Sequence, residues 1–330
     1  MLSRVAISGI GVVSSVGVGY EPFAEAVVNG ISGLGAWSGA ADEPLLAGEV
    51  VGFQVRDYLV AEKGYLDRAS EFALAATKLC LDQAGLAAVP AEPERRGLVL
   101  GTQYGCLGTA ANYTQRVRSR GIRFATPLVF SHAFVNTPAS LISIDFDLKG
   151  YHATMTSGAG AGLVALETAL VALGLGHADA VLAGAADALC ADIIAGHAGP
   201  LLRTDDPDAY DPMGDAGVAL GEGAALLLLE SEANLTARGG TALAWLSLDD
   251  DLADWQVSTD GAATSCAPQA LYGDCLGALG ALDVAAAVAA LQAGVLPALR
   301  GGDEPLDDRR EPLPSEARSA RVGRLRVPLD

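Results

Sequence analysis

The chain of 330 residues is 51% hydrophobic and 18% charged, enough apolar material for one large core or two smaller ones, which excludes wholesale disorder. Twenty-one Lys and Arg against 40 Asp and Glu leave a formal net charge of −19, which opposes nucleic acid or an anionic membrane surface as the main partner. Forty glycines without a collagen period, and only 5% aromatics, point to an Ala/Gly/Leu-rich α/β protein with tight turns.

Residues 4–13 read as a short β-branched strand running into Gly9-Ile-Gly11. This opening resembles a dinucleotide-binding unit, but Ser14 stands where that fingerprint needs its third glycine, and no strand ending in an acidic residue follows at the usual distance. A strand and turn without a cofactor are therefore expected. Over 70–84 the apolar Phe72, Ala73, Ala76, Leu79, Cys80 and Ala84 recur at helical spacing, with Gly85 as a stop. A buried strand is expected over 97–101 and a helix over 109–118. Pro138 lies in the apolar run 127–144 and marks a break or a helix start.

The densest signal follows: a strand over 153–156, the small-residue turn Ser157-Gly-Ala-Gly-Ala-Gly162, an apolar helix over 163–175 ended by Gly176, and a strand over 180–183. That order implies a right-handed parallel crossover and an α/β sheet. Residues 218–230 read as a glycine-broken strand pair. An alanine-rich helix over 277–293, stopped by Gly294 and Pro297, reads as a second unit of the same kind. The acidic stretch 249–260 reads as a loop. The charged, Pro-rich stretch 301–316 reads as a surface loop or a partly disordered segment.

Cys80, Cys106, Cys190, Cys266 and Cys275 are scattered without a C-x-x-C pair and point to reduced thiols. His132, His152, His177 and His197 lack H-x-x-x-H or H-E-x-x-H spacing, so no metal site is expected. The first residues lack the basic and apolar segments of a signal peptide, and Glu167, Glu222 and Asp283 interrupt the longest apolar stretches. Neither secretion nor a membrane-spanning helix is expected, and the expected location is the cytoplasm.

Four segments carry a more specific signal: Arg4-Val-Ala-Ile-Ser-Gly-Ile-Gly-Val-Val-Ser14, Ser157-Gly-Ala-Gly-Ala-Gly-Leu163, Asp211-Pro-Met-Gly-Asp-Ala-Gly-Val-Ala-Leu-Gly-Glu-Gly223 and Gly273-Asp-Cys-Leu-Gly-Ala-Leu-Gly-Ala-Leu-Asp-Val284. Together, and in this order, they resemble the β-ketoacyl synthases, whose α/β fold is the thiolase-like layered αβαβα arrangement. The resemblance runs over most of the chain. It implies a single domain over 1–330, with an N-terminal half (1–230) that carries a degenerate nucleophile turn and a shortened C-terminal half (231–330).

In that family a Cys-His-His set performs decarboxylative condensation, the cysteine taking the acyl chain and the histidines stabilising the thioester enolate. Matching the glycines puts the cysteine position on Ala159 and the last histidine on Asp274. The strand, turn and helix around Ala159 place one side chain at the positive end of a helix dipole, where a thiolate would be stabilised; here it is a methyl group. No His-Gly-Thr-Gly-Thr segment is present, no histidine follows His197, and a C-terminal Gly-Phe-Gly-Gly has no counterpart. The segment 244–270 is also shorter than the family's. Loss of the nucleophile from a catalytic unit costs about 10⁶ in rate, and here the bases are missing too. Ser157 reads as a turn hydroxyl rather than a substitute nucleophile, since no histidine is near it in sequence to act as base.

A ketosynthase relative without its catalytic set looks like a chain length factor, the inactive subunit of type II polyketide synthases. The stretch 271–284, continuing to Gly294-Val-Leu-Pro297, is similar to that subfamily. Its members usually carry glutamine at the cysteine position and are longer, and the smaller size here resembles a divergent branch such as the highly reducing, polyene-forming systems. The resemblance implies a heterodimer in which the ketosynthase supplies the cysteine and this chain, no enzyme by itself, lines the far end of the acyl tunnel. It implies no cofactor of its own, the acyl chains arriving on the phosphopantetheine of an acyl carrier protein.

The implied tunnel lining is Tyr104, Leu107, Ala110, Ala111, Val129 and Ala133, with ordinary core or subunit contacts as the alternative for each. Arg116, Arg118, Arg120 and Arg123 face an acidic patch on a partner or carrier, or form a solvated helix end; the sequence leaves both open. Asp215 and Glu222 fall on family positions and are expected to hold loops near the pocket. Two rival readings share the fold: an acyl-thioester (malonyl) decarboxylase or hydrolase, and a stand-alone acyl-binding pseudoenzyme.

Overall fold

The computed structural model describes residues 4–39, 43–59, 61–212, 214–215, 217–259, 262–265, 267–295 and 319–328. The chain opens with β1 (Val5–Ser14), β2 (Gly17–Val18), α1 (Tyr20–Asn29), β3 (Gly35–Ala36) and β4 (Leu46–Gly48). Then come α2 (Arg68–Gln83), β5 (Arg96–Gly101), α3 (Leu107–Arg120), α4 (Pro127–Ser131) and α5 (Thr137–Asp145). The centre is β6 (His152–Met155), α6 (Ala161–Gly174), β7 (Ala180–Asp187) and α7 (Ala191–Gly196). The remainder is β8 (Leu220–Gly221), β9 (Gly223–Glu230), α8 (Glu232–Ala237), β10 (Ala244–Thr259), β11 (Ala262–Ser265), α9 (Gln269–Tyr272), α10 (Leu279–Ala293) and β12 (Ser319–Pro328).

The main sheet runs β11-β10-β1-β9-β7-β5-β6, with β12 also on β10 and β2 on β1; β3-β4-β8 form a small separate sheet. Helices cover both faces, which is why β1, β7 and β9 are buried along their whole length and read as continuous apolar runs rather than alternating ones. On one face α2 and α5 pack Phe72, Ala76 and Ile142 against Leu98, Leu100 and Leu228. On the other, α6 and α10 pack Leu166, Leu170, Leu282 and Val288 against Ile10, Val12 and Leu227, and the same cluster continues to Val322, Leu325 and Val327 of β12. The order across the main sheet is thus helix, sheet, helix, with β12 reaching the α10 side of the core.

Several expectations change. Strand β1 runs straight through Gly9-Ile-Gly11, so the turn expected there lies beyond Ser14. The glycines serve helix packing: a Cβ on Gly11 would lie 1.9 Å from the Ala76 carbonyl oxygen, and one on Gly9 2.7 Å from that of Cys80, so the α2 backbone rests directly on the strand. Strands β6 and β7 are parallel but not adjacent, because β5 lies between them and pairs with both. The 218–230 pair is not a pair: β8 joins β4 in the small sheet while β9 joins the main one. Residues 249–259 are strand, not loop, since β12 pairs antiparallel along β10 across two register shifts. In the second expected unit, β11 and β12 both run antiparallel to β10 on either side of α10 in the chain. The stretch 301–316 lies outside the described residues. Pro138 does start a helix, in the first turn of α5.

Residues 276–293 are long and apolar enough to cross a membrane by length and composition alone, yet 78% of this stretch is buried inside the fold. Asp283, which interrupts its apolar run, accepts a hydrogen bond from the Tyr272 hydroxyl at 2.6 Å. Burial, and the nearby Asp274 charge, push the Asp283 carboxyl up to about 7 against the pull of that bond. A raised carboxyl binds its proton more tightly in the folded chain than in the unfolded one. Stability is therefore expected to fall as pH rises from about 4 to about 7 and to level off above. The variant Asp283→Asn keeps an acceptor for Tyr272 and is expected to remove the Asp283 share of this slope, gaining about 4 kcal/mol over the parent at pH 8. Urea unfolding of both proteins from pH 4 to 8 measures it, and parallel profiles would refute it.

Candidate functional site

Three loops meet at backbone distance where β5, β6 and β7 end. The first is 101–105, the second the turn 157–162 between β6 and α6, and the third 273–278 ahead of α10. They touch because their glycines leave no side chain between them. A Cβ on Gly101 would lie 2.4 Å from the Ala161 oxygen, one on Gly162 2.9 Å from the Gly277 oxygen, and one on Gly277 2.5 Å from the Gln103 nitrogen. Ala159 sits in a single 3₁₀ turn, Gly158–Gly160, opened by the left-handed Gly158 (φ +67°), and its methyl is exposed at the head of α6. Ser157 is exposed, and among the described residues it makes no side-chain hydrogen bond to a histidine.

Asp187, fully buried at the end of β7, binds these loops together. Its carboxylate accepts from the Thr102 hydroxyl (2.8 Å) and from the backbone N–H of Gln103 (2.7 Å), Tyr104 (2.9 Å), Gly105 (3.3 Å) and Gly277 (3.0 Å). Burial raises its carboxyl to about 6, opposed by these donors. The sequence reading missed Asp187; its only sign was an acid closing an otherwise apolar strand.

Asp274, which the sequence resemblance sets against the family's last histidine, is clamped by its own backbone. Its N–H donates to the Ala219 carbonyl and its carbonyl accepts from Gly221, both at 2.7 Å. Its carboxylate accepts from the Leu276 N–H at 2.9 Å, holding the turn into α10 where Leu276 takes a left-handed φ of +57°. Burial pushes this carboxyl up, while nearby His197 opposes the shift. His197 itself was not singled out in the sequence reading.

The six candidate lining residues fall into separate surroundings. Tyr104 and Leu107 pack against Leu189, Ile193, Ile194 and Leu276. Leu107, Ala110 and Ala111 open onto a groove along α3 that also takes in Thr114, Gln115, Arg118 and Ser119. Val129 on α4 and Ala133 just after it are half-buried. Beside them Phe130 stacks between Tyr113 and Phe134, at centroid distances of 5.5 and 5.1 Å. Ile122, Phe124, Leu128, Phe130, Phe134 and Val135 are exposed, an apolar surface of the kind that marks an interaction site. Arg116, Arg118, Arg120 and Arg123 are all exposed at the end of α3 and in the turn after it.

Glu222 holds loops, as expected. It is 1% exposed and accepts from Val50 N–H and Leu189 N–H, each at 3.0 Å, and from the Arg68 guanidinium at 2.6 to 3.1 Å. Asp215, by contrast, is exposed. Cys80, Cys106, Cys190 and Cys275 are free thiols; Cys266 lies outside the described residues. Among the described residues no three His, Cys, Asp or Glu side chains cluster as a metal ion would need.

The model of the β-ketoacyl synthase N-terminal domain matches residues 2–234. The chain belongs to the β-ketoacyl synthase family. A mitochondrial 3-oxoacyl-[acyl-carrier-protein] synthase of Schizosaccharomyces pombe is 30% identical over 69% of this chain and 58% of that protein. The 3-oxoacyl-[acyl-carrier-protein] synthase 2 of Staphylococcus aureus is 27% identical over 73% of this chain and 61% of that protein. The matches thus span less than two thirds of the curated relatives' length. Among solved structures, the ishigamide ketosynthase/chain length factor superposes with a TM-score of 0.80 at 20% identity, covering 99% of this chain and 98% of that one. A type II polyketide ketosynthase in complex with its acyl-carrier protein gives 0.77 at 17% identity, covering 99% and 98%. This ketosynthase-family chain therefore has the thiolase-like fold, with a shorter C-terminal half.

Proposed function

We propose that this chain is a non-catalytic chain length factor that pairs with an active ketosynthase and shapes the acyl tunnel that sets polyketide chain length. The observation that carries the reading is the exposed methyl of Ala159 at the head of α6, facing a loop in which Asp274 replaces histidine and serves its own turn. No thiolate can form there, and no imidazole stands at the Asp274 position to stabilise an enolate. The likeness to the ishigamide ketosynthase/chain length factor supports it. So do the outer edge of β6, unpaired among the described residues, and the exposed apolar surface after α3, both suited to cover by a second subunit.

In this reading the acyl chain arrives on a phosphopantetheine arm and the acidic carrier docks on the ketosynthase, since a net charge of −19 repels it here. The chain brings no cofactor of its own and works in the cytoplasm. Co-expression with candidate ketosynthases, followed by mass, stoichiometry and condensation assays, tests it. A one-to-one complex that gains condensing activity is the expected result. Malonyl-carrier decarboxylation by the purified chain alone would instead favour the enzyme reading, and a homodimer indifferent to every ketosynthase the stand-alone pseudoenzyme.

A further inference from the structure

We propose that His197 is a positioning residue that fixes the ring of Tyr104 and so determines how sharply the complex limits product length. This rests on the chain length factor reading and names a residue that would carry it out.

The 102–105 loop has little backbone freedom, because Asp187 takes the N–H groups of Gln103, Tyr104 and Gly105. What remains free at Tyr104 is its side chain. Its hydroxyl lies 3.4 Å from Nε2 of His197, and the two rings meet edge to face with centroids 5.9 Å apart. On its other side the imidazole Nδ1 lies 2.9 Å from the Ile193 carbonyl, to which it donates. That donation fixes the tautomer: with the proton on Nδ1, Nε2 is an acceptor, and the phenol is the donor that fills it.

The latch therefore ties the 102–105 loop to the C-terminal end of α7. It lies beside both vacated positions. Gly101, at the start of this loop, packs on the nucleophile turn, and Gln103 meets the Asp274 loop at Gly277. Behind the tyrosine stand Ile193, Ile194 and Leu276, which accept the ring's apolar body but offer its hydroxyl nothing. The cluster holds the body of the ring, and the His197 contacts set how firmly its hydroxyl end is held, between a fixed wall and a swinging one. A fixed ring gives a single cut-off, whereas a swinging one admits longer chains.

The test uses the ketosynthase complex with its carrier protein, reading product lengths by mass spectrometry for His197→Leu, His197→Gln and Tyr104→Phe. His197→Leu and Tyr104→Phe are expected to raise the ratio of over-length to normal product about tenfold, the equivalent of one hydrogen bond. His197→Gln, whose amide oxygen still accepts from the phenol, is expected to stay close to the parent. Tyr104→Phe removes a single oxygen and guards against a folding defect in the His197 variants. In the isolated chain, nitrogen-15 NMR is expected to show the Nδ1–H tautomer of His197 and a shift of Nε2 in Tyr104→Phe. Unchanged product lengths in an intact, elongating complex would overturn the latch alone. A parent chain that joins no ketosynthase and supports no condensation would overturn the underlying reading and the length-setting role together.

Discussion

Replacing Asp187 by alanine is expected to lower the unfolding free energy by about 4 kcal/mol and Tm by about 6 °C. The change strands the Thr102 hydroxyl and four backbone N–H groups around a position that is itself fully buried. Each abandoned buried donor costs about 1–3 kcal/mol, less where the loop relaxes to reach water. The damage is expected to be local before it is global. Amide exchange should quicken first at residues 103–105 and 277, then elsewhere. Asp187→Asn keeps one accepting oxygen and is expected to lose about half as much. An alanine variant as stable as the parent, with unchanged exchange at those amides, would show that Asp187 is not what holds the loops. Because the same loop carries Tyr104, the alanine variant is also expected to blur any length control that depends on that ring.

The second large effect is expected at Glu222. Its carboxylate meets Arg68 in a forked pair and takes the N–H groups of Val50 and Leu189, joining α2, the segment after β4 and the segment after β7. Glu222→Leu leaves both N–H groups without an acceptor and the Arg68 guanidinium with only the Val50 carbonyl, and is expected to cost about 4 kcal/mol. The Arg68 side chain is 40% exposed and retains water, so Arg68→Leu is expected to cost less, about 2 kcal/mol. The double variant is expected to be more stable than Glu222→Leu alone, since the stranded cation is then gone. Urea unfolding of the four proteins closes the cycle, and simple additivity would mean that the pair is not coupled.

These two carboxylates tie the fold together in a way that the head of α6 does not. Asp187 and Glu222 are consumed by backbone donors, while Ala159 makes no such bond and is exposed. Substitution at the head of α6 therefore costs the fold little. Asp274 is intermediate: its side chain serves the turn at Leu276, but most of its anchoring comes from its own backbone.

Much was legible from the residues alone. Periodicity located α2 within two residues of its start, and Gly85, Gly176 and Gly294 stand in left-handed conformations beyond the helices they stop. The order of glycine-rich segments pointed to the family that the match over residues 2–234 shows. Composition misled over 249–259, where runs of aspartate suggested a loop but the pairing of β12 along β10 makes a strand. The Gly9-Ile-Gly11 pair misled in the same way: glycine marks close approach, and only the approaching body tells a phosphate loop from a helix backbone.

The α/β class and the elements around the 157–162 turn could be read from the residues alone, because propensity, capping and motif order are written along the chain. The tertiary structure alone decided what Asp187, Glu222, Gly11 and His197 do. Asp187 finds its donors 82 to 90 positions away, and His197 meets Tyr104 across 93. Such partners are selected by the stacking of strands and helices, where a buried carboxylate must collect whatever N–H groups the fold delivers to it, and no local pattern records which those will be.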